Sequence, residues 1–124
     1  NVTSLQRARS NTPLAALITL NSESFVEAAQ ALARRVLSEK AGADDKARVE
    51  HAFRLCLSRN PDLAERDRLV RLLERSRTWY RERTSEAGEL AGKNLPDGLA
   101  PDETAAWVST VRVLLNLDEF LTRG

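Results

Sequence analysis

The stretch DETAAWVSTVRVLLNL, residues 102–117, decides the fold predicted for this chain. Between Glu103 and Asp118 its only charged residue is Arg112. On a helical wheel of 3.6 residues per turn, apolar side chains cover most of the circumference. One face carries Trp107, Val111, Leu114 and Leu121, Val108 and Leu115 widen it, and Val113 and Leu117 occupy a further sector. We therefore expect a buried central helix on which the other helices pack.

The other apolar segments also show helical spacing, and none alternates as a strand would. The helix boundaries are predicted from polar capping residues at the starts and from Gly42 and Pro61 at two of the ends. The predicted helices are Pro13–Leu20, Glu23–Lys40, Asp44 or Asp45 to Asn60, Asp62–Arg83, a short one at Glu86–Ala91, and the last helix, with a candidate interruption at Asn116–Asp118 where Asp118 would cap a final turn. We thus expect one all-α domain over residues 1–124, a compact bundle of four main helices plus short helical segments around the buried C-terminal helix.

The balance of charges limits the classes of partner. Nineteen basic residues face 18 acidic ones, for a net charge of +1, which argues against strong non-specific attraction to nucleic acid or anionic lipid. No apolar run is long enough to span a bilayer. We predict neither nucleic-acid binding nor membrane insertion. Since the chain has no methionine, even at position 1, we expect it to be a piece of a longer protein.

The only histidine and the only cysteine are His51 and Cys56. His51 could be a haem or metal ligand or a general base, but its position opposite the core face of its helix favours a solvated surface residue. Cys56 lies on the buried stripe, which favours an inert core thiol over a nucleophile. Their spacing separates them by about 140° around the helix. We therefore predict that the domain binds no metal, haem or other cofactor.

Arginines are concentrated on the outer face of the predicted helix Asp62–Arg83. They form either a strip that binds phosphate or a partner, or a solvated face of salt bridges. Interleaved acidic residues predict the local pairs Asp67–Arg71 and Glu74–Arg77, which favours the salt-bridged face. Trp79 and Tyr80 are predicted as rim and core residues rather than a base-stacking platform. The arginines are Arg68, Arg71 and Arg75, with Arg77, Arg81 and Arg83 nearby.

Two pairs of adjacent carboxylates are candidates for acid–base chemistry. Helix capping explains Asp44–Asp45. Asp118–Glu119 follows the most apolar helix, and either residue is the acid candidate of our alternative hypothesis, a hydrolytic domain acting on an extracellular polymer. Capping of a last turn remains the simpler interpretation of this second pair.

A polar cluster lies around the first predicted helix, formed by Arg9, Asn11, Thr12 and Asn21. Thr12 and Asn21 suit helix caps. Because caps do not require Arg9 or Asn11, a docking surface for a neighbouring domain is an equally open interpretation.

Several stretches together resemble a known family. They are SNTPLAALITLN at 10–21, SFVEAA at 24–29, LARRVL at 32–37, AFRL at 52–55 followed by Arg59-Asn60-Pro61, and Trp107 with VLLNLDEF at 113–120. They are similar to a planctomycete-specific domain of unknown function that typically ends long secreted proteins carrying cytochrome-c-like domains. The resemblance covers nearly all of the chain except Thr84–Pro101, and it departs at Ser22-Glu23, where Asp-Pro is expected.

This resemblance implies a context rather than an activity. The chain would be the C-terminal domain of an exported, periplasmic or extracellular multidomain protein, with any haem bound elsewhere in the parent. No functional residue transfers. Our first hypothesis is a non-catalytic interaction or structural module whose partners are the parent's other domains. The hydrolytic enzyme is the alternative, and a nucleic-acid binder using the arginines is a weaker third.

Overall fold

The computed structural model describes residues 23–96 and 98–123, with side chains as far as residue 117. These residues form five helices and contain no strand, which confirms the all-α prediction. The predicted helix Pro13–Leu20 lies outside the described residues. The helices are α1 (Glu23–Glu39), α2 (Asp45–Leu57), α3 (Leu63–Arg81), α4 (Thr84–Ala91) and α5 (Pro101–Arg123).

Side-chain caps begin two of these helices where the sequence places them. The Asp44 carboxylate accepts a hydrogen bond from the Ala47 backbone N–H at 2.9 Å. Asp62 and Glu65 form a reciprocal capping box, with bonds of 2.8 and 2.9 Å. Helix α2 ends at Leu57, before the predicted end at Asn60, because Ser58 adopts left-handed backbone (φ 60°).

The last helix, α5, packs against each of the other four helices that the structure describes. Trp107, Val111 and Leu114 are fully buried, as their shared face predicts. Around them lies one apolar core drawn from α1, α2 and α3, which includes Ala33, Val36, Val49, Phe53, Leu69 and Leu73. A smaller cluster joins Ala87 and Ala91 of α4 to Ala105 of α5.

Two expectations about α5 are wrong. Its apolar surface is not covered all round, since Val113 is 36% and Leu117 is 42% exposed. The helix also continues through Asn116 to Arg123, so Asp118 does not cap a separate turn. Asn in a helix interior costs at most about 0.7 kcal/mol relative to Ala, and the packing of the buried face outweighs so weak a preference. Among the described helices, none combines the length and the apolar character needed to cross a bilayer.

Candidate functional site on the outer face of α3

The helix α3 buries one side and exposes the other. Leu69, Leu73 and Ser76 recur at helical spacing and are buried against the bundle. The opposite side, together with the two residues that follow the end of α3, lines an open groove of about 560 Å³ formed by Arg71, Glu74, Arg75, Thr78, Trp79, Glu82 and Arg83. We call these seven residues the arginine–tryptophan face.

Arg77 lies at the edge of the buried side and is held by two other helices. Its Nε and Nη2 donate to the two carboxylate oxygens of Glu103, each at 2.7 Å. Its Nη1 and Nη2 also donate to Asp45, at 3.0 and 3.1 Å. The Arg77 side chain is 21% exposed, and Glu103 first, then Asp45, raise the pKa of its guanidinium. This network links α2, α3 and α5, so it stabilises the bundle.

The network replaces the predicted local pair Glu74–Arg77, which is wrong. The sequence did carry a signal, because Arg77 is four residues after Leu73 and therefore lies only about 40° from it on the wheel. An arginine at that position points towards neighbouring helices, where carboxylates that are distant in sequence can reach it. The Glu103 carboxylate also accepts a hydrogen bond from the Trp107 Nε1–H at 3.2 Å, which satisfies a buried indole.

By contrast, Arg71 and Arg75 are exposed. Within the described residues neither has a salt bridge or a side-chain hydrogen bond. The predicted pair Asp67–Arg71 is therefore wrong, and Asp67 instead lies 3.4 Å from Arg66. Arg66 also contacts Glu50 of α2, so the Arg66 guanidinium lies near Asp67 and competes with Arg71 for that carboxylate. The outer face is less fully salt-bridged than the sequence pattern predicts.

Trp79 provides an aromatic surface on this face and is 43% exposed. The Arg83 guanidinium lies over its ring at 4.0 Å from the centroid, and Arg83 Nη1 donates to the Trp79 carbonyl at 3.1 Å. Tyr80 meets the indole edge-on at 5.0 Å between centroids. Burial raises the pKa of the Tyr80 phenol. Trp79 is thus a rim residue, as predicted, and its neighbours on both sides hold its ring in place.

His51 differs from its prediction. Its side chain is only 16% exposed, and its Nε2 lies 2.7 Å from Glu39 Oε1 at the end of α1. The interpretation as a solvated surface residue is wrong, because α1 ends against the middle of α2. Hydrogen bonds from Arg35 first, and then from His51, lower the pKa of Glu39. Cys56 is partly buried and packs against the core. No group of three or more His, Cys, Asp or Glu among the described residues is arranged to hold a metal ion.

The remaining candidates divide by location. Asp44 caps α2, as predicted. Asp118 and Glu119 fall within α5, but their side chains are outside the described part of the chain. The proposed docking residues Arg9, Asn11, Thr12 and Asn21 also lie outside the described residues, so both sets stay predictions.

Comparison with known proteins places the chain in a family without assigning an activity. The family model PSD1, described as a protein of unknown function (DUF1553), matches residues 1–73, more than half of the 124 residues. Neither the curated proteins nor the solved structures contain a match. The expectation of a domain of unknown function is confirmed. The chain belongs to the DUF1553 family of proteins of unknown function.

Proposed function

We propose that this chain is a non-catalytic interaction or structural module of a larger exported protein, in which it packs against the parent's other domains. Periplasmic or extracellular location, a planctomycete source and cytochrome-c-like domains in the parent belong to the same proposal. They are supported by the sequence resemblance alone. The proposed partners are protein domains, not nucleic acid or a bilayer.

The observation that carries this proposal is the apolar surface left on α5. Val113 and Leu117 are one helical turn apart, so they form one continuous patch. Both are more than a third exposed, although the same helix supplies the centre of the core. Contiguous exposed apolar patches are a feature of interaction sites, which supports contact of this side of α5 with a further domain.

The test uses the chain and the remainder of its parent, expressed separately and mixed in analytical ultracentrifugation. We expect a complex. The double variant Val113→Gln/Leu117→Gln should weaken it about tenfold or more, because apolar anchors dominate interfaces. The matched control is Leu63→Gln, which removes a largely exposed apolar side chain from the start of α3 and should leave binding unchanged. Absence of a complex, or equal loss in the control, would overturn the proposal.

A further inference from the structure

We propose that the arginine–tryptophan face of α3 is a docking surface for an acidic segment of a partner protein. Arg71 and Arg75 would bind two carboxylates, and Trp79 would pack against the adjoining apolar side chain. This inference rests on the proposed function, and it adds a second surface and the chemistry of what binds there.

The first argument is the state of the two guanidiniums. Arg77, on the other side of the same helix, is bound by two carboxylates in a bidentate manner. Arg71 and Arg75 present the same fork of donors to solvent with no carboxylate bound, as far as the described residues extend. A guanidinium fork matches the geometry of a carboxylate. The face therefore lacks the acidic partners that the Arg77 network already has.

The second argument is spacing. Arg71, Arg75 and Trp79 follow one another at intervals of four residues, which is about 6 Å along the helix axis for each step. Alternate residues of an extended segment are about 6.6–6.8 Å apart, and residues four apart on a helix repeat at about 6 Å. A segment with two acidic side chains and then an apolar one at this repeat would meet all three residues at once.

The third argument is the fixed position of Trp79. Arg83 covers one face of its ring at 4.0 Å, and Tyr80 contacts its edge. A half-exposed indole that is already held in place loses little further freedom when a partner covers it. The groove of about 560 Å³ beside it has room for several side chains.

Glu74 and Glu82 decide between a protein and a nucleic acid. Both carboxylates line the same groove as the arginines. A nucleic-acid strand carries a negative charge on every phosphate of its backbone, so a strand lying along the groove would be repelled by these two residues. A peptide can place carboxylates opposite Arg71 and Arg75 and neutral or basic side chains opposite Glu74 and Glu82.

The experiment is selection of a phage-displayed random-peptide library on the 124-residue chain, followed by fluorescence anisotropy of the most enriched peptide. We expect the enriched sequences to share two acidic residues followed by an apolar residue. These would stand at alternate positions of an extended segment or at every fourth position of a helix. Arg71→Gln/Arg75→Gln should weaken binding about tenfold or more, and Trp79→Ala should also weaken it. Lys46→Gln/Lys93→Gln removes two exposed charges elsewhere and should leave binding unchanged.

Three results would overturn the inference: no enrichment, enriched peptides without paired acidic residues, or equal binding by Arg71→Gln/Arg75→Gln. Tighter binding of a single-stranded oligonucleotide that depends on Arg71 and Arg75 would overturn it in favour of a nucleic acid. The parent mixing experiment separates this failure from that of the proposed function. If the parent's remainder binds through Val113 and Leu117 while the selection fails, only the present inference is lost; if the remainder does not bind, the proposed function fails.

Discussion

Arg75 and Arg77 are two residues apart on α3, yet their surroundings are opposite. Arg77 binds Asp45 of α2 and Glu103 of α5 and is partly buried. Arg75 lines an open groove and has no ionic partner among the described residues. The residue type is the same, and so is the helix. The role of each arginine is therefore set by whether its side of α3 packs against other helices. The charges that neighbour it in the sequence do not determine it.

The largest effect should come from the centre of the buried side. Leu114 is fully buried, so Leu114→Ala should lower the free energy of unfolding by about 2–5 kcal/mol, through lost transfer energy and the cavity left behind. Arg71→Ala, on the open side, should change it by less than about 0.5 kcal/mol. Urea unfolding of both variants beside the parent chain measures the difference. Similar midpoint shifts would mean that α5 is not the central element.

A smaller effect should follow from opening the Arg77 network. Glu103→Ala removes the carboxylate that accepts two charged hydrogen bonds from Arg77 and one from the Trp107 indole. Because the network is partly exposed, we expect a loss of about 1–3 kcal/mol rather than the larger cost of a fully buried pair. Glu74→Ala tests the local pair that the sequence suggests, and it should change stability by at most about 0.5 kcal/mol. If urea unfolding showed equal losses of stability for Glu103→Ala and Glu74→Ala, the local pair Glu74–Arg77 would be supported instead.

The pH dependence should reveal a smaller contribution at the start of α3. Hydrogen bonds from Arg59 first, and then from the Asp62 backbone, lower the pKa of Glu65 from 4.5 to about 2. The folded pKa is depressed, so this contribution is present above about pH 4.5 and is lost as the pH falls towards about 2. Glu65→Gln should therefore lose less stability than the parent chain between about pH 6 and pH 3 in thermal melts. Glu89→Gln, an exposed control on α4, should follow the parent.

The sequence predicts the helices of this chain better than its ion pairs. Caps such as Asp44 and Asp62 act within one turn, so their positions can be predicted from the residues alone. The bonds of Arg77 join residues 26 and 32 positions apart, and only the packing of three helices brings them together. For the same reason the apolar run of α5 did not show that Val113 and Leu117 would remain exposed.

The candidate site was only half visible in the sequence. Arg71 and Arg75 were assigned to the outer face of the helix and Trp79 to its rim, because helical spacing separates them from the buried leucines. The sequence did not show which arginines would remain unpaired, since Asp67 and Glu74 stand at sequence spacings that allow pairing with Arg71 and Arg77. Competition from Arg66, Asp45 and Glu103 decides the outcome, and it depends on tertiary structure.

The most direct measurement of the central claim is equilibrium urea unfolding of Arg77→Gln beside Arg75→Gln. Both substitutions remove one guanidinium from α3 and keep a good helix former in its place. The account predicts a clear fall in the midpoint for Arg77→Gln, because Asp45 and Glu103 lose their shared partner, and a midpoint for Arg75→Gln that coincides with that of the parent chain. Equal shifts, or a larger shift for Arg75→Gln, would contradict the assignment of a structural role to one side of α3 and a binding role to the other.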